Sequence, residues 1–523
     1  MKTDGNHYDF IIVGAGPAAV TAAWPLLKSG KKVLMVDAGV AEIVPERQSN
    51  FLPLHNLRDG NHGNFFQGED ASKLLTKGFS SPKLRASGEN FSQYLEFNKL
   101  DPNNFILTGL IGTGGLSRIW GAACSCYDDF DLCDSSVKYK DLLPSYIEVA
   151  KRIGMSGNNS SSIAGFIGNQ LPLQGTLEQT PLIKKLLSSY GARKNCNGFL
   201  LGETLTAVTT KALGPRGACS GEMRCMWGCP HQSIYSAKSD IRQLLSFINF
   251  EFKQNVVVDN LIRSESNEWI VAGVQARSGE KEFFSGKKIL LGMGTFATTR
   301  LVMKKFLPKE KTLRVLHNPA FSGAMLIPGF VGRQLPSRGY GGSQLCFKIP
   351  LSASDPREYA FGLIFDAASL PAFDLMKHMP FTRCGAINIT KSLLPGLIIL
   401  LVYMPPGLSD TYVSLGDDDR LKIQGNYNSS FPKSFAKCVS LTKSFFRKLG
   451  AYSLPGSFKP YSPGAEVHYG CSLSANGLIS KDGELVTAKG IYVVDGSSLP
   501  TLTAKSHTLT IMANADRIAR GLV

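Results

Sequence analysis

The chain has 523 residues, of which 43% are hydrophobic and 19% are charged. This length exceeds the roughly 150 residues of an ordinary domain several-fold, and the composition contains too little charge for a disordered chain. A small disulfide-stapled scaffold is excluded, because the chain is long and its eleven cysteines are odd in number and mostly scattered. The sequence therefore predicts two or more compact units that share a large core.

The chain is basic, with 57 Lys and Arg against 41 Asp and Glu and a formal net charge of +16. Such a charge attracts anionic substrates, acidic protein partners or lipid headgroups. No basic-aromatic stripe or known nucleic-acid module is visible, so we expect no nucleic-acid partner. An anionic substrate, peripheral contact with a membrane and a merely solvated basic surface all stay open.

The first predicted element is a β-strand over residues 10–13, and the glycine-rich turn Gly14-Ala15-Gly16-Pro17-Ala18-Ala19 and a helix to residue 28 follow it. No secretory signal precedes this strand, so we expect a cytoplasmic protein, with export together with a partner subunit left open. The order is typical of a dinucleotide-binding turn. Gly14 permits the tight turn, Gly16 lets backbone N–H groups approach a pyrophosphate, and Ala19 allows close helix–strand packing.

A second predicted strand, residues 32–36, leads into an acidic side chain. Asp37 follows Gly14 by about 20 residues, the spacing at which an acid accepts hydrogen bonds from a ribose diol. We assign Asp37 and its neighbour Ala38 to the nucleotide site. The acid disfavours a 2′-phosphate, but the pattern does not separate NAD from FAD.

A second glycine-rich loop spans residues 112–121. Its missing side chains let backbone amides reach a flat ring or a diphosphate, although a plain surface turn is the alternative. We assign Gly114, Gly115, Ser117 and Trp120 of this loop to the cofactor site.

Three cysteines lie close together further along the chain. Cys219, Cys225 and Cys229 have the spacing C-x5-C-x3-C-P, and three thiolates within eleven residues can converge on zinc, copper(I) or an iron-sulfur cluster. A tetrahedral zinc site would need a fourth ligand, for which His231 is poorly placed by its spacing.

The central part of the chain, residues 360–427, predicts strands and turns of a sheet-based second domain. Its most apolar stretch, residues 393–404, is interrupted by a proline and a glycine and is far shorter than the about 20 residues that span a bilayer. We therefore predict no transmembrane segment. The predicted strands are 397–404, 411–415 and 421–424.

The chain ends in another strand, turn and helix, over residues 490–520. We assign Asp495, Gly496, Thr508 and Leu509 to the cofactor site, so the two ends of the chain would share one cofactor.

The N-terminal fingerprint, the Gly114-Gly115 loop and the block from Val494 to Ala519 together resemble the glucose-methanol-choline family of FAD-dependent oxidoreductases across nearly the whole chain. The resemblance implies FAD as cofactor. It also implies an α/β fold, in which a Rossmann-like FAD-binding domain is interleaved with an α+β substrate domain built on an antiparallel sheet. The FAD-binding segments would be 1–50, 105–135, 205–310 and 460–523, and the substrate segments 51–104, 136–204 and 311–459.

The resemblance also places His468 and His507 at the family's two positions that face the flavin and the substrate hydroxyl. A neutral imidazole suits removal of an alcohol proton. His468 is therefore assigned as general base, and His507 as the partner that holds the alcohol oxygen and stabilises alkoxide charge. Here Tyr469, Gly470 and Cys471 follow the first histidine directly, where the family has another residue before a Gly-Thr pair.

The cysteine spacing is similar to a segment of bacterial FAD-dependent glucose and fructose dehydrogenases of this family, which binds a [3Fe-4S] cluster. This implies a dehydrogenase of a sugar-like alcohol that passes electrons to a cytochrome-like acceptor protein rather than to O2. The alternatives are an O2-using oxidase with a metal-free structural cysteine loop, an enzyme that oxidises a nucleotide- or lipid-linked sugar, and a flavin-binding subunit without catalysis.

Overall fold

The computed structural model describes residues 7–39, 92–193, 196, 198–226, 229–370 and 381–523. The strands of these residues are β1 (His7–Val13), β2 (Val33–Val36), β3 (Leu100–Asn103), β4 (Ala123–Cys124), β5 (Leu200–Glu203), β6 (Leu205–Thr206), β7 (Phe250–Lys253), β8 (Val256–Arg263), β9 (Trp269–Gln275), β10 (Lys281–Leu291), β11 (Thr312–His317), β12 (Ala320–Leu326), β13 (Leu345–Pro350), β14 (Tyr359–Asp366), β15 (Leu397–Tyr403), β16 (Thr411–Leu415), β17 (Leu421–Gln424), β18 (Tyr452–Ser453), β19 (Lys459–Pro460), β20 (Tyr469–Gly470), β21 (Glu484–Leu485) and β22 (Ala488–Val493). The helices are α1 (Pro17–Lys28), α2 (Ser92–Phe97), α3 (Tyr139–Ile153), α4 (Ala164–Ile167), α5 (Pro181–Gly191), α6 (Ala237–Leu244), α7 (Thr295–Phe306), α8 (Arg383–Leu393), α9 (Phe431–Lys448) and α10 (Thr508–Arg520).

The nucleotide sheet has the strand order β21-β22-β10-β1-β2-β7, and β8 and β9 form a hairpin on β10. Strand β1 lies between β2 and β10 and is parallel to both. Strand β22, from the other end of the chain, is parallel to β10. Parallel neighbours require long crossover connections, which is why distant segments meet in one sheet. The predicted strands near both chain ends are confirmed.

Both faces of the central strand β1 are buried. Phe10 and Ile12 belong to a core that also contains residues of α1 and α10, and Ile11 and Val13 belong to a second core on the opposite face. Successive side chains of a strand point to opposite faces, and a parallel sheet is covered on both sides. The continuous apolar run of β1 follows from this double burial.

The substrate sheet is antiparallel, with the strand order β18-β12-β15-β14-β13-β5 and β19 paired to β12. The strand predicted over residues 397–404 is β15, which ends at Tyr403. The preceding residues of the apolar stretch end helix α8 and form a short 3-10 turn. None of the helices in the described ranges is long and apolar enough to cross a membrane.

A third sheet joins the two parts of the molecule. Its order is β20-β11-β16-β17-β3, and it contains the two strands predicted over residues 411–415 and 421–424 as the antiparallel pair β16 and β17. Strand β20, which comes directly after His468, pairs with β11. This pairing anchors the backbone next to the first candidate histidine.

The fold class predicted from the sequence is confirmed, whereas the domain boundaries stay a prediction. Helix α3 lies in the predicted substrate segment 136–204 but packs against α10. Ser145 donates a hydrogen bond to Asp516 (2.7 Å), and the hydroxyls of Tyr146 and Thr510 are 2.7 Å apart. Most of the predicted substrate segment 51–104 lies outside the described residues.

Candidate functional site

A cavity of about 590 Å³ is lined by residues of both the nucleotide sheet and the substrate sheet. Gly14, Gly16 and Asp37 contribute to its wall, and so do His468 and His507. Cavities of 300–1,000 Å³ are typical of ligand sites. The N-terminal turn and the C-terminal histidines therefore face one space.

Gly14 and Ala19 set the shape of the N-terminal turn. Gly14 has a φ of +104°, and a Cβ atom added there would lie 2.4 Å from the carbonyl oxygen of Gly292. A Cβ added to Gly292 would in turn lie 2.9 Å from that of Ala19. Only small residues fit where helix α1 meets the end of β10, so Ala19 contributes to helix–strand packing. Ala19 is not on the cavity wall.

Gly16 is different, because no atom of the described residues restricts it. A Cβ added to Gly16 would meet none of these atoms within 4 Å, and Gly16 lines the cavity. Helix α1 begins at the next residue, with no side-chain cap and no acidic residue in its first turn. Its first N–H groups and the positive end of its dipole are thus available to an anion.

Asp37 and Ala38 line the same end of the cavity. The Asp37 Oδ1 atom accepts a hydrogen bond from the backbone N–H of Gly39 at 2.7 Å. Burial raises the pKa of Asp37 to about 6, although backbone hydrogen bonds from Gly39 and Ala15 act in the opposite direction. A partly buried carboxyl at the end of β2 is available as a hydrogen-bond acceptor for a hydroxyl-bearing ligand.

The second glycine-rich loop contacts the N-terminal turn directly. Gly114, with a φ of +98°, donates its backbone N–H to the Ala15 carbonyl at 3.1 Å. A Cβ added to Gly115 would lie 3.6 Å from the Gly16 Cα atom. Gly115 lines the cavity, whereas Gly114 does not and instead shapes the loop.

Ser117 and Trp120 line the cavity and also hold the second loop in place. The Ser117 hydroxyl donates to the Gly114 carbonyl at 2.6 Å and accepts from the backbone N–H of Ala237 at 3.0 Å. The Trp120 indole donates to the Tyr235 carbonyl at 2.7 Å. These hydrogen bonds fix both side chains relative to helix α6 and the strand-like segment before it.

Asp495 connects the C-terminal block to the nucleotide sheet. Its carboxylate accepts hydrogen bonds from the backbone N–H of Gly294 (2.9 Å), the hydroxyl of Thr298, and the N–H and hydroxyl of Ser497 (3.0 and 2.5 Å). Burial raises its pKa, and these hydrogen bonds act against the rise. Asp495 is thus a junction between the end of β22 and the start of α7, at the cavity wall.

The remaining predicted C-terminal residues divide into two groups. Gly496 and Thr508 line the cavity, and α10 begins at Thr508 without a side-chain cap. Leu509 is fully buried in the core and is not on the cavity wall. A second helix N-terminus therefore opens on the cavity.

The two candidate catalytic histidines are in contact. The ring centroids of His468 and His507 are 4.5 Å apart, with the planes at 89°. Burial lowers the pKa of His507 to about 4, and burial together with the nearby His507 lowers that of His468 well below its ordinary value. Both rings are neutral at pH 7. In the described part of the chain, the Nδ1 atom of each ring is buried without a hydrogen-bond partner.

Tyr403 is a site residue that sequence reasoning missed. Its ring stacks on that of His468 with a centroid distance of 4.0 Å and an angle of 3°. Tyr403 ends strand β15 and lines the cavity. No local pattern signals this contact, because Tyr403 ends a strand, His468 lies in the loop before β20, and the two are far apart in the sequence.

A second buried pair adjoins His468 and was also missed. His317 Nδ1 lies 2.8 Å from Glu466 Oε1, and both side chains are inaccessible to solvent. Burial raises the pKa of Glu466, and the His317 ring opposes the rise. The following residue, Val467, has a φ of +60°. The pair fixes a strained stretch that leads into His468.

The three clustered cysteines are not arranged as the predicted metal site requires. Cys219, Cys225 and Cys229 are partly buried, and Cys229 Sγ accepts a hydrogen bond from the Ser233 N–H at 3.2 Å. Among the described residues, no group of three or more His, Cys, Asp or Glu side chains is placed to hold a metal ion. The predicted iron-sulfur site thus has no geometric support, and residues 227–228 lie outside the described ranges.

The chain is similar in sequence to known proteins. No protein-family profile matches the chain. The chain is 24% identical to the fructose dehydrogenase large subunit of Gluconobacter japonicus over 267 residues, or 45% of this chain and 43% of that one, so it spans less than half of that relative. It is 20% identical to the 6'''-hydroxyparomomycin C oxidase of Streptomyces lividus over 570 aligned positions, covering 99% of this chain and 92% of that one.

Solved structures share the fold over the full length. A formate oxidase from Aspergillus oryzae RIB40 superposes with a TM-score of 0.64 at 14% identity, covering 99% of this chain and 98% of that chain. A pyridoxine 4-oxidase from Mesorbium loti gives a TM-score of 0.61 at 14% identity, covering 98% and 99%.

The resemblance to the glucose-methanol-choline family is confirmed by these neighbours. At 14% identity, what these structures share with the chain is the fold.

Proposed function

We propose that the protein oxidises the CH–OH group of a small-molecule alcohol with FAD as the bound oxidant. The observation that carries the proposal is the perpendicular pair of neutral imidazoles, His468 and His507, on the wall of the cavity that Gly16 and helix α1 also line. This arrangement places a proton acceptor and an anion-binding helix end on one ligand space.

The residues at the N-terminal end fit FAD. The unrestricted position of Gly16 and the uncapped start of α1 suit a pyrophosphate, and Asp37 suits the hydroxyls of a ribose. The Gly112–Ser117 loop would hold the cofactor from the other side. When bound, FAD supplies the acceptor for the hydrogen and the electron pair of the C–H bond.

The histidines handle the proton of the alcohol. We assign His468 as the base that accepts the hydroxyl proton as the C–H hydrogen leaves with its electron pair, so a carbonyl product forms and charge balances. A neutral His507 retains one ring N–H that can hold the alcohol oxygen and stabilise the developing alkoxide. Tyr403 keeps the plane of the His468 ring fixed.

Cofactor binding is tested by Gly16→Glu with Gly165→Glu as matched control. Both glycines have open space around an added Cβ, but Gly165 is exposed on helix α4, off the cavity wall. Gly16→Glu should purify with less than about a tenth of the wild-type FAD content, because its charge opposes the pyrophosphate. Gly165→Glu should be as yellow as wild type. Equal FAD content in the two variants would contradict the proposal.

The two candidate functions differ in the molecule that accepts the electrons from FAD. Similarity to a fructose dehydrogenase large subunit supports the first reading, a dehydrogenase of a sugar-like alcohol that delivers electrons to a cytochrome-like protein. The fold shared with two solved oxidases favours the alternative, direct use of O2. Stoichiometric hydrogen peroxide during turnover in air would select the oxidase. Turnover of a dye or cytochrome with little peroxide would select the dehydrogenase.

The iron-sulfur cluster on Cys219, Cys225 and Cys229 is part of the first reading and can be tested separately. Protein purified without oxygen should contain about three irons per chain if these thiols hold a [3Fe-4S] cluster. Absence of iron would leave the cysteines as a structural loop and would remove this route for electrons.

A further inference from the structure

One strand of the substrate sheet borders the cavity along much of its length. Along β15, Ile399, Leu401 and Tyr403 line the cavity, and the fully buried Leu400 between them also borders it. The intervening Ile398 and Val402 are fully buried in the core on the other face of the sheet. This alternation is the ordinary two-residue period of a strand. The residues that reach the cavity are therefore set by the register of β15.

The neighbouring strand β14 extends the same surface. In the antiparallel register Phe365 lies opposite Ile399, and Leu363 lies opposite Leu401. Both β14 residues also line the cavity. Since paired side chains of neighbouring strands are about 5 Å apart, these four residues form one continuous surface, which we call the apolar panel.

The apolar panel runs away from the histidine pair. Its near end adjoins Tyr403, whose ring stacks on His468. At about 3.4 Å per residue, Leu401 lies about 7 Å and Ile399 about 14 Å from Tyr403 along the strand. A molecule with its hydroxyl at His468 would thus place its remote part against the panel.

This wall offers few polar groups. Of the residues that the described strands of the substrate sheet place on the cavity, only Ser322 and Tyr403 carry a polar side-chain atom. Within the same described part of the chain, no Lys or Arg lines the cavity. A buried sugar needs a hydrogen-bond partner for each hydroxyl that loses water, and an anion needs a positive group. Neither requirement is met along the panel.

We propose that the substrate is a neutral alcohol whose hydroxyl carbon carries an extended alkyl or aryl group, bound on the apolar panel. The inference rests on the proposed function, because the panel acts on a molecule oxidised at His468. It gives an apolar alcohol in place of the sugar-like alcohol of the dehydrogenase reading, and it argues equally against an anionic substrate. The +16 charge of the chain then belongs to other surfaces.

The test is the anaerobic reduction of protein-bound FAD by primary alcohols from ethanol to 1-octanol, with cinnamyl alcohol, glycerol and D-glucose for comparison. Each added methylene buries more apolar surface, so the second-order rate constant for reduction should rise about fourfold per methylene, from about 0.8 kcal/mol each. Cinnamyl alcohol should react well, and D-glucose and glycerol should be the poorest substrates.

Two panel variants and one control locate the effect. Leu401→Asn should flatten the dependence on chain length from the shortest alcohols onward. Ile399→Asn should flatten it only for the longer ones, because this residue lies about 7 Å further along β15. Leu415→Asn changes a partly buried leucine of β16 that is off the cavity wall and should leave the dependence unchanged. FAD content is measured in all three.

The outcomes separate the two proposals. If D-glucose reduces the flavin as efficiently as 1-octanol, or if Leu401→Asn keeps the wild-type dependence on chain length, the apolar inference is wrong while the oxidoreductase function stands. If no alcohol of any kind reduces bound FAD, the proposed function fails and the inference falls with it.

Discussion

Replacing Lys505 with methionine should destabilise the protein strongly, because this lysine is a fully buried cation. Its side chain is 0% exposed, and Nζ donates to Asp131 at 2.6 Å and to Asp128 at 2.9 Å. The Tyr359 hydroxyl also donates to Asp131, at 2.6 Å. The Lys505 ammonium lies 4.0 Å from the centroid of the Phe166 ring. The segment that carries this cation continues directly into His507.

The size of the effect follows from what is left behind. Without the cation, Asp131 would be a buried carboxylate whose side chain is 2% exposed, and breaking one partner of a buried ion pair costs about 3–5 kcal/mol. An unfolding entropy of about 2.1 cal/mol/K per residue amounts to about 1.1 kcal/mol/K for this chain. If the chain unfolds as one unit, the melting temperature should fall by about 3–5 °C.

Scanning calorimetry in excess FAD measures this change, and Lys481→Met is the matched control. Lys481 pairs with Asp141 at 3.0 Å, but both side chains are partly exposed, so its loss should change the midpoint by less than about 1 °C. Adding Asp131→Asn to Lys505→Met should restore much of the loss, because the uncompensated charge is removed. A Lys505→Met midpoint equal to that of the control would refute the reasoning.

Three further predictions concern the site. Because burial lowers the pKa of His507 to about 4, its contribution to stability is present above about pH 6.5 and is lost as the pH falls towards 4. The urea midpoint of wild type should therefore fall more steeply over this range than that of His507→Asn. Tyr403→Leu removes the ring stacked on His468 and should slow anaerobic flavin reduction up to about tenfold at unchanged FAD content. Glu466→Ala leaves the buried His317 unpaired and should cost about 1–3 kcal/mol in denaturant unfolding, with Glu466→Gln costing less.

The glycine-rich turn at one end of the cavity was predictable because its signals are local. The spacing of Gly14, Gly16 and Ala19 reports one turn, and each residue has in the structure the conformation or space that its role needs. Asp37 follows at the expected strand end. All of these residues lie within about 25 positions of one another, so a sequence pattern can reveal them.

The substrate end could not be predicted in the same way. Tyr403 meets His468, and His317 meets Glu466, across long stretches of chain, and in each pair a strand residue contacts a residue of the loop before β20. A two-residue period shows that β15 has two faces, but it does not tell which face borders a cavity. Only the paired register with β14 brings the apolar panel together.

In the cysteine segment, a local sequence pattern does not give the geometry that it suggests. Spacing places Cys219, Cys225 and Cys229 within eleven residues, but side-chain direction depends on the backbone of each turn. The described thiols do not form a group that could hold a metal ion. Closeness in sequence of residues that can bind a metal is thus weak evidence for a metal site.

The rate of anaerobic flavin reduction in His468→Ala tests the central claim most directly. With a reactive primary alcohol and FAD content equal to wild type, the account predicts a reduction rate constant at least about 100-fold below wild type, as expected for loss of a general base. His7→Ala, an exposed histidine at the start of β1, should retain the wild-type rate. A His468→Ala protein that holds FAD and is reduced as fast as wild type would contradict the account.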